Sequence, residues 1–149
     1  MERKVQKTFV DNGFGFPVHL VNVPMVKVRG HWTPDIDYNK LAKAVLQAIA
    51  HKPSRLTGAE IHFVRQHFGL TLQQFAKRFG VSHVAVIKWE KNLGRVTVMN
   101  WATEKDIRLF VLLKLVPLSA EMISLYTSLE EIPSAKAVRI EVPVEKLAA

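Results

Sequence analysis

The stretch Leu72–Trp89, LQQFAKRFGVSHVAVIKW, allows few conformations. Leu72, Phe75, Ala76 and Phe79 fall at i, i+3, i+4 and i+7, an apolar stripe that predicts one side of a short helix. Gly80 follows at once, where the chain must turn through left-handed backbone angles that glycine tolerates best. Val81 packs, and the Ser82 hydroxyl is placed to cap a second helix. On that helix Val86 and Trp89 lie three apart and face inward, while Ala76 is small where the two helices would cross closely. The expected result is a crossed helix pair joined by a glycine turn, with the outer side of the second helix left free.

The flanking residues extend the pattern. Thr57-Gly58-Ala59-Glu60 and Thr71-Leu72-Gln73-Gln74 each read as a capping box, in which a hydroxyl and the side chain three residues on satisfy free donors at a helix start. Ile61, Val64 and Phe68 mark the buried face of a preceding helix that Gly69 ends. Helices are therefore predicted over 58–68, 72–79 and 82–91.

Charge sharpens the reading. The 149-residue chain holds 21 basic and 13 acidic residues, a formal net charge of +8. From Lys52 to Arg95, eight basic residues (Lys52, Arg55, Arg65, Lys77, Arg78, Lys88, Lys91, Arg95) face two acidic ones (Glu60, Glu90), a net of +6. From Val116 onward three basic residues oppose five acidic ones, a net of −2. The excess coincides with the helix pair, as contact with nucleic-acid phosphates requires. A crossed pair of this kind presents its second helix to the major groove of double-stranded DNA.

Several classes are excluded or disfavoured. Without cysteine there are no disulfides or thiolate metal sites. Met1-Glu2-Arg3-Lys4 is followed by no apolar signal region. The greasiest run, Leu109–Leu118, is broken by Lys114 and is about half the ~20 residues needed to span a bilayer. A cytoplasmic location is expected. His62 and His67, five apart, split around a helix. His19, His31, His51 and His83 have no carboxylate spaced to complete a ligand set, and no phosphate loop or nucleophile motif occurs. No enzyme activity and no cofactor are expected.

The rest of the chain divides into a β-rich unit over 1–52, a helical unit over 53–116 and a C-terminal helix and strand over 117–149. Residues 5–30 read as strands, with Asp11-Asn12-Gly13 as a tight hairpin turn. Pro24 interrupts the valine-rich runs Phe16–Val23 and Met25–Arg29, which predicts an edge or broken strand. Asp35 or Asp37 caps a helix from about Asp37 to His51 with Leu41, Val45, Ala48 and Ile49 inside, and Lys52-Pro53-Ser54 is a short linker. Asn92-Leu93-Gly94 closes the helix pair. Thr103 is expected to cap a helix from Glu104 to Val116, apolar on most sides and stopped by Pro117. Its apolarity makes it the candidate seam of a dimer. A further helix over Ser119–Leu129 precedes a strand over Ala137–Val142 that can pair with the N-terminal ones. The fold class is mainly α with a small β unit: a helix-turn-helix domain plus N-terminal strands and a C-terminal strand.

On the second helix of the pair, His83, Val84, Ile87 and Lys88 project outward, with Ala85 at the margin. Lys88 suits guanine O6/N7 or a phosphate, and His83 a base edge. Val84, Ala85 and Ile87 suit thymine methyls or, alternatively, packing against another protein surface. Thr71 and Ser82 offer hydroxyls and helix-start amides to phosphates, and Lys91, Arg78 and Arg95 offer cations. Arg65 and Glu90 are placed for a structural ion pair.

With those residues in view, LTGAEIHFVRQHFGLTLQQFAKRFGVSHVAVIKWEKN resembles the Xre/Cro-type, lambda-repressor-like helix-turn-helix family, tightly over 56–92 and loosely to about 116. The resemblance implies an internal salt bridge between Arg65 and Glu90, and base reading by His83, Val84 and Lys88. Leu72 departs from the family's usual glutamine at the start of helix two, a residue that contacts a phosphate, which implies either that Gln73 substitutes for it or that the docking differs. The form LTGAEI-FVR behind a β-rich unit is similar to MqsA/HigA-type antitoxins, whose N-terminal part often binds zinc through cysteines that this chain lacks. That likeness implies a homodimeric repressor of its own operon, with an RNA-cleaving toxin as partner. The rivals are a stand-alone regulator, a protein-interaction module and a ligand-responsive regulator.

Overall fold

A computed structural model describes residues 1–116, 119–129 and 133–149. Among them the chain order is β1 (Arg3–Asp11), β2 (Val18–Val28), β3 (His31–Pro34), α1 (Tyr38–Ala50), α2 (Gly58–His67), α3 (Leu72–Phe79), α4 (His83–Lys91), α5 (Trp101–Leu115), α6 (Ala120–Ser128) and β4 (Ile140–Pro143). The mainly helical class with strands at both ends is as the sequence predicts. Two compact units result, Met1–Ala48 with Arg139–Ala149, and Ile49–Val138.

In the first unit β2 is the central strand. It pairs antiparallel with β1 from Arg3↔Val26 to Asp11↔Val18. Its other edge is shared by β3, antiparallel over Met25–Val28, and β4, parallel over Val18–Val21. The predicted edge or broken strand is thus corrected, because Pro24 lies between the two stretches that β3 and β4 occupy. Its carbonyl accepts from Asp35 N at 2.8 Å. Since N and C=O of one strand residue point to the same side, the missing N–H also faces that notch and breaks no bond to β1. Asn22, at φ 55°, re-phases the strand: Val18 and Leu20 are buried before it, Val23 and Met25 after it.

The turn chemistry also differs from the sequence expectation. The β1–β2 connection is not tight at Asp11-Asn12-Gly13 but runs over residues 12–17, with the positive φ at Gly15. Arg29 and Gly30, both at positive φ, make the two-residue turn into β3, a strand the sequence reading did not separate. Of the two candidate caps, Asp37 starts α1, its Oδ1 accepting Asn39 N at 2.9 Å, while Asp35 pairs with Arg3. Leu41, Val45 and Leu46 of α1, the sheet residues above with Val26, Phe16 and Ile36, and Ile140, Val142 and Val144 supply this unit's buried apolar side chains.

In the second unit the capping boxes of α2 and α3 are formed, Thr57 with Glu60 and Thr71 with Gln74. Phe75, Ala76, Phe79, Ile61, Val64 and Val86 are buried with Leu56, Ile107, Val111 and Leu112. Phe79 meets Phe110 edge-on at 5.4 Å between ring centroids. For α5 the cap is Asn100, not Thr103: Asn100 Oδ1 accepts Ala102 N at 2.8 Å and the helix begins at Trp101. An amide side chain at the first extended position wins over a hydroxyl already inside the first turn. Nor is α5 buried all round. Glu104, Ile107, Arg108, Val111 and Leu112 form the inner stripe, and Leu113 is 53% exposed. Pro117, read as the stop of that helix, lies outside the described residues.

Candidate nucleic-acid interface

Gly80 adopts the left-handed conformation, φ 69°, and ends α3. Val81 N then donates to Ala76 O at 3.0 Å, which closes the turn. Two residues later Ser82 caps α4, its Oγ accepting Ala85 N at 3.2 Å. The outward side of α4 follows from 100° per residue: His83, Ile87, Lys91, Val84 and Lys88 succeed one another over an arc of about 140°. His83, Val84, Lys88 and Lys91 are exposed and Ile87 and Ala85 half-buried, while Val86 is fully buried at the opposite side. Trp89 is half-buried rather than deep in the core. On α3, Thr71 and Gln73 are exposed. Thr71 Oγ1 accepts Gln74 N at 3.1 Å. As acceptors, the Thr71 and Ser82 hydroxyls both keep an O–H to donate to a phosphate oxygen.

An ion pair ties the outer helix to the domain. Arg65 of α2 grips Glu90 of α4 in two bonds, Nε to Oε2 at 2.6 Å and Nη2 to Oε1 at 2.9 Å, and its Nη1 donates to Leu70 O at 3.0 Å. His62 Nδ1 shares a hydrogen bond with the same carboxylate. Burial alone pushes the Glu90 carboxyl upward. The bonds and charges of Arg65 and His62 outweigh it and hold Glu90 below the usual carboxylate range. The hydrogen bond to Glu90 correspondingly raises Arg65, against its burial.

The same unit holds a charged core that the sequence did not predict. Arg108, fully buried, donates to Glu104 Oε2 at 2.9 Å, to Lys52 O at 2.6 Å and to the Ser54 carbonyl. Arg55 Nε donates to Glu104 Oε1 at 2.8 Å, and its other end donates to Met99 O. Lys52 Nζ reaches both oxygens of Glu60, at 2.9 and 2.8 Å. Burial drives the Arg108 guanidinium below its ordinary value despite Glu104. Lys52-Pro53-Ser54 is therefore no solvated linker, as Lys52 and Ser54 are buried. Lys52 and Arg55 must also be struck from the cations available to phosphate. Arg78 is likewise engaged, with Asp106 at 3.2 Å on the surface. Lys77, Lys88, Lys91 and Arg95 are exposed. One sequence signal for the core existed: Glu104 and Arg108, one turn apart on the same side of α5 as Ile107, Val111 and Leu112, are each too costly to bury without the other.

Among the described residues no group of three His, Cys, Asp or Glu is placed to hold a metal ion, and no helix is long and apolar enough to cross a membrane. A search of curated proteins and one of solved structures gave no match. The model of a helix-turn-helix family, one of DNA-binding regulators and not typically enzymes, matches residues 61–101. That match takes in most of α2, all of α3 and α4 and the first residue of α5, so residues 61–101 are similar to a helix-turn-helix domain of the Xre/lambda-repressor-like kind.

Proposed function

We propose that this protein is a sequence-specific DNA-binding transcriptional repressor that acts as a homodimer in the cytoplasm and controls its own operon. The observation that carries the reading is the outward arc of α4. His83, Val84 and Lys88 stand exposed beside Lys91 on a helix that is locked to α2 through Glu90, at the edge of that arc, and Arg65. Two such helices would enter successive major grooves ~34 Å apart on a two-fold symmetric operator, with Thr71, Gln73 and Ser82 meeting phosphates and Ala85 and Ile87 flanking the bases. Repression is then steric, and no cofactor is called for.

The sharper reading is an antitoxin of a type II toxin-antitoxin module that neutralises an RNA-cleaving toxin. Its support is the LTGAEI-FVR form at the start of α2 behind a β-rich unit. Co-expression with the product of the adjacent gene tests it: rescue of growth supports it, and no rescue leaves the repressor alone.

The main test is a gel shift on the DNA upstream of the protein's own gene. Binding of an inverted repeat at nanomolar concentration is expected. Lys88→Ala should cost ~1–3 kcal/mol, confined to particular sequences, if Lys88 reads a base, and affect all sequences alike if it holds a phosphate. Equal affinity for random duplex would sink sequence-specific repression. The second reading, a protein-interaction module, draws on Val84, an apolar side chain 47% exposed on that arc. DNA binding falls steeply with salt through counterion release, whereas an apolar protein contact does not.

A further inference from the structure

We infer that α4 selects its DNA by a pyrimidine 5-methyl group, so that thymine and 5-methylcytosine are preferred over uracil and unmethylated cytosine. The inference rests on the DNA-reading role of α4 proposed above. It follows from what the outward arc lacks. Adenine is read by the amide of Asn or Gln, and cytosine by a carboxylate. No Asn, Gln or Asp occurs in α4, and its one acid, Glu90, is held by Arg65 and His62. Between His83 and Lys88 the arc carries Ile87, Lys91 and Val84, and of these Val84 is the exposed side chain without a donor or acceptor. Presented to a base edge, Val84 gains only from apolar surface, and the C5-methyl is the one apolar group in the major groove. A polar edge left against it would lose its water without a partner. Val84 and Lys88 lie about 6 Å apart along the helix axis. The methylated base is therefore expected roughly two base steps from the base or phosphate that Lys88 contacts.

The test begins with selection of bound duplexes from a library with a random core. Each thymine of the selected duplex is then replaced singly by deoxyuridine, which removes the methyl and nothing else. One thymine per half-site should weaken binding about four-fold on replacement, the value of one buried methyl-sized group. At that position a 5-methylcytosine·guanine pair should bind more tightly than cytosine·guanine by a similar factor. Val84→Ala, at an exposed position that leaves the core intact, should bind the thymine and uracil duplexes equally. Indifference to uracil at every thymine, with a sequence still selected, overturns the methyl inference and leaves the DNA-reading role standing. Failure to select any sequence overturns both.

Discussion

Gly58→Ala puts two physical effects of opposite sign in competition. Gly58 is the first residue of α2 and has no positive φ, so helix propensity alone favours alanine by up to ~1 kcal/mol. The structure says otherwise. A Cβ at that position would lie 2.2 Å from the Trp89 carbonyl oxygen, 2.8 Å from Leu93 N and 3.1 Å from Glu90 O. All three are backbone atoms at the end of α4 and cannot rotate away. Relief requires α2 and α4 to part by roughly 1 Å, and overpacking of this kind costs about 1–3 kcal/mol. The same movement stretches the bonds Ala59 N to Leu93 O at 2.9 Å and Gly58 N to Arg95 O at 3.2 Å. Each contributes about 1 kcal/mol. The net expectation is a loss near 2 kcal/mol, or a fall in Tm of about 4–8 °C for a chain of this size. Urea and thermal unfolding followed by circular dichroism measure it. Gly94→Ala is the control, because nothing lies within 4 Å of its Cβ position and its φ is not positive. That variant should be unchanged or about 0.4–1 kcal/mol more stable. A Gly58→Ala protein that melts at or above the parent temperature would refute the close approach of α2 to α4.

Two further outcomes follow from the ion pairs. Glu104→Gln leaves Arg108 fully buried and Arg55 largely so without their carboxylate. It should cost about 3–5 kcal/mol in urea unfolding, and a loss under 1 kcal/mol would show that the guanidinium does not need it. Glu90 lies below the usual carboxylate range in the folded chain. The stabilisation from its pairing is therefore complete above that range and disappears as pH falls through its lowered value. Glu90→Gln should flatten this part of the acid limb of a stability–pH profile, and an unchanged limb would argue against the pairing.

The helix pair was legible in the chain because its determinants are local. Capping hydroxyls, the Gly80 turn and the stripe Phe75, Ala76, Phe79 act within a few residues, and the structure keeps α3 over the predicted span. Burial of Val86 was equally readable, since a 3.6-residue period assigns sides without knowledge of partners. The cap of α5 is set locally too, but the expectation of Thr103 passed over Asn100, which stands three residues earlier and caps the helix. What the chain could not state was which distant groups would meet. Pro24 looks like a strand breaker until β3 and β4 are seen to stop on either side of it along one edge of β2. Lys52 looks like a linker cation until Glu60 closes on it at 2.8 Å, and Arg108 draws in carbonyls from residues more than fifty positions away. The sequence by itself determined where helices start, stop and turn apolar sides inward, because short-range backbone satisfaction and periodicity decide those. Tertiary structure alone decided which charges are spent inside and which remain on the surface, because the cost of burying an ion depends on a partner that only folding brings within 3 Å.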